Sequence, residues 1–238
     1  MVSENSRVQT GIKGLDEAML GGFIQNSTNL LSGGPGSGKS ILAMQFLING
    51  AEKSNEPGAY VTFEETKESL FNNMKNFGWD LEKLEKKGKI VVMNLSPVDM
   101  ETSPLDSEKG AEKAFGLKYK LVKKMKIKRI VVDSVTAFSM LYPDEVSKRK
   151  GYLALVRMLR DWECTSILIN EHDPEDNKYS PLDFEVDGIV RLYNIKKEYV
   201  RTRALEIYKM RGTSHSTKTF AMEITNEGIK VYPKQTVL

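Results

Sequence analysis

A single cysteine, Cys164, stands among 238 residues. Neither an intramolecular disulfide nor a cysteine-rich metal site is therefore available. Histidine is nearly as scarce: His172 and His215 are the only two. They lack metal-ligand partners at diagnostic spacing, so no zinc site is expected. No run of about 18 consecutive apolar residues occurs, which argues against a membrane-spanning helix. The opening residues, MVSENSR, carry no apolar stretch behind a basic cluster, so no secretory leader is expected. A dominant charge is missing as well. Thirty-five basic residues face 32 acidic ones, a net charge of +3, which by itself does not call for nucleic acid. What is present is 40% hydrophobic and 28% charged residues of both signs, a composition that folds instead of remaining disordered. Domains usually run to about 100–200 residues, so residues 1–238 are expected to form one domain of a cytoplasmic protein with no membrane association.

Short apolar runs alternate with longer amphipathic stretches over the first two thirds of the chain. Strands are expected at Ser27–Leu31, Ala59–Phe63, Lys89–Met93, Arg129–Asp133 and Thr165–Asn170. Helices are expected at Lys39–Asn49, Lys67–Phe77, Lys113–Met125 and Glu145–Trp162, where apolar residues recur at helical spacing. Asn94–Glu108 and His172–Pro181 read as loops. Beyond Gly188 the texture changes to short, partly alternating runs: Gly188–Asn194, Arg201–Lys209, Thr217–Glu223 and Ile229–Tyr232. The fold class is thus α/β: a mostly parallel central sheet flanked by helices, with antiparallel strands added at the C-terminal end.

Gly33-Gly34-Pro35-Gly36-Ser37-Gly38-Lys39-Ser40 fits G-x-x-x-x-G-K-[ST] and lies between an expected strand and an expected helix, the context that gives this motif its meaning. Glycines let the backbone approach phosphates, and the N–H groups at the helix start bind the anion. Gly34, Pro35, Gly36, Ser37, Gly38, Lys39, Ser40 and Ile41 are the candidate nucleotide-binding residues, with Lys39 reaching the β- and γ-phosphates. The Ser40 hydroxyl is a candidate Mg²⁺ ligand. A second metal-supporting group is expected from Asp133, at the end of the strand Ile130-Val131-Val132; capping of the next helix is its alternative role. Glu64 and Glu65 follow the strand Tyr60-Val61-Thr62. A carboxylate pair there can hold the attacking water, or it can simply open the helix from Lys67, where the helix dipole favours acids.

With these residues in place, the chain resembles the KaiC-like branch of the RecA superfamily of ATPases. The resemblance begins at Thr10-Gly11-Ile12-Lys13-Gly14-Leu15-Asp16 and Gly21-Gly22. It continues through Tyr60–Glu65, Phe77-Gly78-Trp79-Asp80-Leu81 and Val132-Asp133-Ser134-Val135-Thr136, and closes on Lys209-Met210-Arg211-Gly212-Thr213-Ser214-His215. It looks most like the first ATPase domain of KaiC, present once. The resemblance implies a RecA-like P-loop fold, ATP and Mg²⁺ as cofactors, and Glu64 and Glu65 as the catalytic glutamate pair. It further implies that Lys209 and Arg211 reach the γ-phosphate held by a neighbouring subunit, with His215 near that same nucleotide. A homo-oligomeric ring, a hexamer, follows from this implication and not from the spacing. A trans Arg can raise phosphoryl transfer by about 10³–10⁵.

Departures from the family pattern matter too. The stretch Leu182–Ile189, where the second KaiC domain is autophosphorylated, holds no Ser, Thr or Tyr, so autokinase activity is not expected. Asn170 occupies a polar strand end that could sense γ-phosphate. Glu171-His172 stands where KaiC shows Glu-Arg, and that Arg's role is not carried over. Two other readings compete with a ring ATPase turning over ATP to ADP. One is a recombinase paralogue binding single-stranded DNA; the acidic loop Glu171–Asp187, with Lys178 as its sole cation, opposes phosphate there. DNA would instead need the run Lys148-Arg149-Lys150 or the group Lys118, Lys120, Lys123, Lys124, Lys126, Lys128 and Arg129, both of which read as solvated faces. The other is a nucleotide-gated adaptor with little turnover, which the presence of Glu64, Glu65 and Arg211 opposes. No protein partner can be named. Trp79, Trp162 and the methionines read as packing, and Cys164 as a small buried residue.

Overall fold

The apolar runs become the inner strands of one sheet. The structure, a computed structural model, describes residues 6–95, 117–140, 142–176 and 179–237. Strands β3 (Thr28–Gly33), β4 (Gly58–Thr62), β5 (Ile90–Asn94), β6 (Arg129–Asp133), β7 (Thr165–Asn170) and β8 (Gly188–Lys197) run parallel. Strands β9 (Val200–Met210), β10 (Thr219–Thr225) and β11 (Gly228–Thr236) continue from β8 as an antiparallel meander. The order across the nine strands is β11-β10-β9-β8-β3-β7-β6-β4-β5. A two-stranded ribbon pairs β1 (Arg7–Val8) with β2 (Phe23–Ile24).

Alternation along each strand sends neighbouring residues to opposite faces, and so builds two cores. Leu31, Tyr60, Val92 and Val131 face helices α2 (Lys39–Lys53), α3 (Lys67–Lys75) and α4 (Leu81–Lys86); the short helix α1 (Leu15–Ala18) and part of the meander join that side. Leu30, Val61, Val91 and Val132 face helices α5 (Leu117–Met125), α6 (Val135–Ser139), α7 (Glu145–Asp161) and α8 (Pro181–Glu185). Polar side chains fix the helix starts. Thr66 accepts from Ser69 N at 3.2 Å, Asp80 from Lys83 N at 2.9 Å and Asp144 from Ser147 N at 2.9 Å. Ser134, not Asp133, caps α6, accepting from Ala137 N at 3.3 Å.

The expected elements are present with shifted ends. The first parallel strand runs on to Gly33, and the helix after the glycine loop to Lys53. The helix expected from Lys113 begins at Leu117 among the described residues, and the loop expected at Asn94–Glu108 lies outside them beyond Leu95; Asn94 itself ends β5. The loop expected at His172–Pro181 holds a 3₁₀ turn, Pro174–Asp176, and α8 starts at its last residue. Trp79 stacks on Phe77, ring centroids 5.0 Å apart, against the α2 side of the core. Cys164 is fully buried, and burial pushes its thiol up to about 12.

One expectation fails outright. Arg129, grouped by sequence with a solvated basic face, is 1% exposed. Its guanidinium meets Glu56 Oε2 at 2.6 Å, donates to Phe46 O at 2.8 Å, and lies 4.5 Å from the Phe46 ring centroid. The first position of β6 points into the α2 side of the core, so the charge is neutralised internally.

Candidate nucleotide site

β3 lies between β8 and β7 near the middle of the sheet, and its C-terminal end opens into the glycine loop. Gly36 and Gly38 take φ of 70° and 101°, a region open to glycine at no steric cost. A Cβ on Gly33 would stand 2.6 Å from Ser37 Oγ, and one on Gly34 2.8 Å from Asp173 Oδ2. The Lys39 ammonium donates to the carbonyls of Gly33 (2.8 Å) and Gly34 (3.1 Å). Burial lowers its pKa, opposed by the charges of Glu171, Asp133 and Asp173. An open pocket of about 380 Å³ at the loop is lined by Gly36, Gly38, Lys39, Ser40, Ile41, Arg203 and Ile224.

The metal-supporting acid expected from sequence lies two strands away and reaches back to the loop. Asp133 Oδ2 accepts from Ser40 Oγ at 3.0 Å. The same oxygen accepts from the hydroxyl of Tyr60, which is wholly buried; burial and the adjacent Asp133 hold the phenol well above its ordinary value, so it stays a donor. Ser40 and Asp133 together offer the hard oxygen donors that Mg²⁺ takes. The loop also fits a phosphate chain by an independent sign. Ser37 Oγ is buried yet has no hydrogen-bond partner among the described residues, and neither does Asn194 Oδ1 beside the loop.

The two glutamates expected as a pair part company. Glu65 Oε1 accepts from Ser69 Oγ and Asn73 Nδ2, each at 2.8 Å, so its carboxylate lies along the start of α3. Its backbone is fixed as well, N donating to Thr62 Oγ1 at 3.1 Å and O accepting from Asn94 Nδ2 at 2.9 Å. Glu64 is exposed at the end of β4, and Phe63 N donates to Asp133 O at 3.0 Å. Partial desolvation, then the charges of Glu171 and Asp133, raise the Glu64 pKa. Glu64 is thus the member of the pair that feels the acids around Lys39. Asn170 accepts from Thr136 Oγ1 at 3.2 Å on the strand next to the loop strand.

Lys209, Arg211 and His215 are not brought to this pocket. Gly33 pairs with Leu192, whereas Lys209 pairs with Ile189, and Met210 with Gly188, toward the other end of β8. Leu192 lies three steps along β8 from Ile189, roughly 10 Å at about 3.3 Å per residue, and Arg211 lies beyond that. The Lys209 ammonium donates to the carbonyls of Asp183 and Val186, each at 2.8 Å, and Arg211 Nη2 to that of Phe184 at 2.6 Å. Burial and the neighbouring Arg211 lower the Lys209 pKa. His215 Nδ1 lies 3.0 Å from Ser216 O.

Two side chains that sequence reasoning passed over do touch the loop. Asn194 Nδ2 donates to Pro35 O and Arg203 Nε to Gly36 O, both at 3.1 Å. They are cross-strand partners in β8 and β9. Their signal in the sequence is only a polar residue on each of two alternating strands.

The acidic loop is less free than its composition suggests. Asp183 accepts from Ser180 N at 2.9 Å, Glu185 pairs with Arg149 at 3.5 Å and Asp187 with Arg160 at 2.9 Å. Lys178 lies outside the described residues. Within the Lys148–Lys150 run, Lys148 pairs with Glu145 at 2.6 Å and Arg149 with Glu185. Among the described residues no three His, Cys, Asp or Glu side chains gather to hold a metal by themselves, and no helix is long and apolar enough to cross a membrane.

A family model described as "ATPase: KaiC" matches residues 8–236. A KaiC circadian clock oscillator protein of Parathermosynechococcus lividus is 36% identical over 228 residues, 94% of this chain but 42% of that protein. The chain thus spans less than half the length of that relative. A UPF0273 protein of Methanocaldococcus jannaschii is 36% identical over 95% of this chain and 96% of its own length. Among solved structures, a KaiC-like protein of Pyrococcus horikoshii superposes with a TM-score of 0.82 at 36% identity, covering 96% of this chain and 99% of that one.

Proposed function

The chain belongs to the KaiC family of ATPases, and on that premise we propose that it is a Mg²⁺-dependent ATPase, with residues 1–238 as one domain, that hydrolyses ATP to ADP at the contacts of a homo-oligomeric ring in the cytoplasm. One observation carries the reading. The Ser40 hydroxyl of the phosphate loop meets the carboxylate of Asp133 at 3.0 Å, beneath a pocket walled by Gly36, Gly38, Lys39 and Ile41. A loop, a lysine and two hard oxygen donors brought together from the ends of β3 and β6 are the parts that phosphoryl transfer needs for positioning and charge neutralisation.

Backbone N–H groups of Gly34 and of Gly36 to Ser40 bind the phosphate chain, Pro35 having none to offer, and the buried Ser37 hydroxyl gains a partner there. The Lys39 ammonium, now on the Gly33 and Gly34 carbonyls, exchanges them for phosphate oxygens. Ser40 and Asp133 hold Mg²⁺, which neutralises phosphate charge when bound. Glu64 orients the attacking water and draws its proton, while Glu65 fixes the start of α3. Lys209 and Arg211 serve the nucleotide of a neighbouring copy, because the pairing of β9 and the bond from Arg211 N to Asp187 O set them toward the other end of the sheet from their own loop, and His215 joins them there as the family resemblance implies.

The test is ATP turnover by purified protein at fixed salt, with and without Mg²⁺ and with and without single-stranded DNA. Mg²⁺-dependent turnover that ignores DNA is the expected result. Turnover seen only with DNA, or none in any condition while ATP binds, overturns it in favour of a recombinase-like protein or an adaptor respectively.

A further inference from the structure

Tyr60 puts a hydroxyl into an otherwise apolar stretch of core. Its residue is 0% exposed, and its side chain packs on the α2 side with Leu42, Phe46, Val92 and Val131. A buried hydroxyl costs stability unless it is hydrogen-bonded, so the atom it finds is informative. That atom is Asp133 Oδ2, the oxygen that also accepts from Ser40. Register explains the reach. Tyr60 pairs with Val131 and Thr62 with Asp133, so Asp133 stands two residues further along the neighbouring strand, on the same face as Tyr60.

We propose that Tyr60 is a positioning residue for the divalent cation: its hydroxyl pins the Asp133 carboxylate so that Ser40 presents its oxygen lone pairs to the metal. Two donors on one oxygen fix the rotation of the carboxylate. The Ser40 proton is then directed at Asp133, and its lone pairs face the pocket. Partners that orient ligands in this way contribute about 10–100-fold in metal affinity. A phenylalanine at position 60 would fill the same space and leave Asp133 with Ser40 alone.

The inference rests on Ser40 and Asp133 holding the metal, so the experiment tests both separately. A fluorescent ADP analogue is bound to wild type, Tyr60→Phe and Asp133→Asn in EDTA and across a Mg²⁺ titration, with thermal melting recorded for each. In wild type the analogue binds more tightly with Mg²⁺, and in Asp133→Asn that gain is lost. In Tyr60→Phe the Mg²⁺ needed for half of the gain rises about tenfold, with binding in EDTA unchanged. An unchanged Mg²⁺ requirement in Tyr60→Phe overturns the role of Tyr60 while leaving Asp133 in place. Equal weakening with and without Mg²⁺ also overturns it and makes Tyr60 a packing residue. Absence of any Mg²⁺ gain in wild type overturns the metal site and the inference together.

Discussion

Arg203 and Arg211 leave the same arm of the meander and anchor at opposite ends of the sheet: the guanidinium of Arg203 donates to Gly36 O at 3.1 Å, that of Arg211 to Phe184 O at 2.6 Å. A guanidinium is always charged and its donors sit in a rigid fork, so neither is spent on a carbonyl without competition from an anion. Arg203 stands at the mouth of its own phosphate loop. Arg211 is parked on the last turn of α8, where the helix carbonyls favour a cation, ready to exchange that carbonyl for a better acceptor.

Arg203→Ala is expected to weaken nucleotide binding. A hydrogen bond from a charged group is worth about 1.5–3 kcal/mol, and each 1.4 kcal/mol is tenfold in affinity. Partial exposure places the loss at the low end, about tenfold. Titration of a fluorescent ATP analogue measures it, and an affinity equal to that of wild type would sink the assignment.

Arg211→Ala and Lys39→Ala are each expected to lose turnover by about 10³-fold or more. If Arg211 serves a neighbour's nucleotide, mixing the two variants restores part of the activity. In mixed rings some contacts join an intact loop from one chain to an intact Arg211 from the other. Activity of the mixture equal to the sum of the separate proteins would place both residues in one chain's site.

The phosphate loop, Asp133 and the parallel character of the sheet were legible because each is local: a glycine pattern between a strand and a helix, an apolar run ending in an acid, and apolar runs alternating with amphipathic ones. The order of the strands across the sheet is not local and was not read. The residues that were missed are set by distance along the chain. Tyr60 reads as one more strand aromatic until the register brings it beneath Asp133. Arg203 and Asn194 read as exposed polar positions until β8 is seen beside β3. The division of Glu64 from Glu65 follows from Ser69 and Asn73 on the next helix, which a pair of adjacent acids does not announce. Arg129 was misplaced because a basic run looks solvated when its internal acid, Glu56, lies 73 residues away. Helices α1, α6 and α8 are too short to show a period.

Glu64→Gln is expected to lower turnover by about 10²–10⁴ with nucleotide affinity retained. Glu65→Gln instead weakens the hold on Ser69 and Asn73, costing about 1 kcal/mol of stability and far less turnover. The pH profile separates them further. A base works only when deprotonated, and the Glu64 pKa is raised above 4.5 by partial burial and by Glu171 and Asp133. The acid limb of kcat/KM, which reports the free protein, therefore falls above the ordinary glutamate value. Glu171→Gln removes one of the charges that raise it and shifts the limb to lower pH. A limb that stays put in Glu171→Gln removes Glu64 as its source.

Stability should depend on Glu56 out of proportion to its place near the surface. It neutralises Arg129, whose side chain is 1% exposed, while Glu56 itself is 30% exposed. Removing one partner of a buried pair strands the other charge, at about 3–5 kcal/mol when both are dry. Water can reach the Glu56 side, so Glu56→Ala is expected to cost about 2–3 kcal/mol, a fall in Tm of roughly 5–10 °C for a chain of this size. Gly50 tests the same contact from below, since a Cβ there would lie 2.3 Å from Arg129 Nε; Gly50→Ala should cost about 1–3 kcal/mol by overpacking. Arg129 begins β6 and Asp133 ends it, so both variants should bind nucleotide as wild type does while folded. The double variant Arg129→Met, Glu56→Ala leaves no buried charge unpaired and should melt above Glu56→Ala alone. If it melts lower, the contacts of the Arg129 guanidinium with the Phe46 ring and carbonyl outweigh the cost of leaving its charge unpaired.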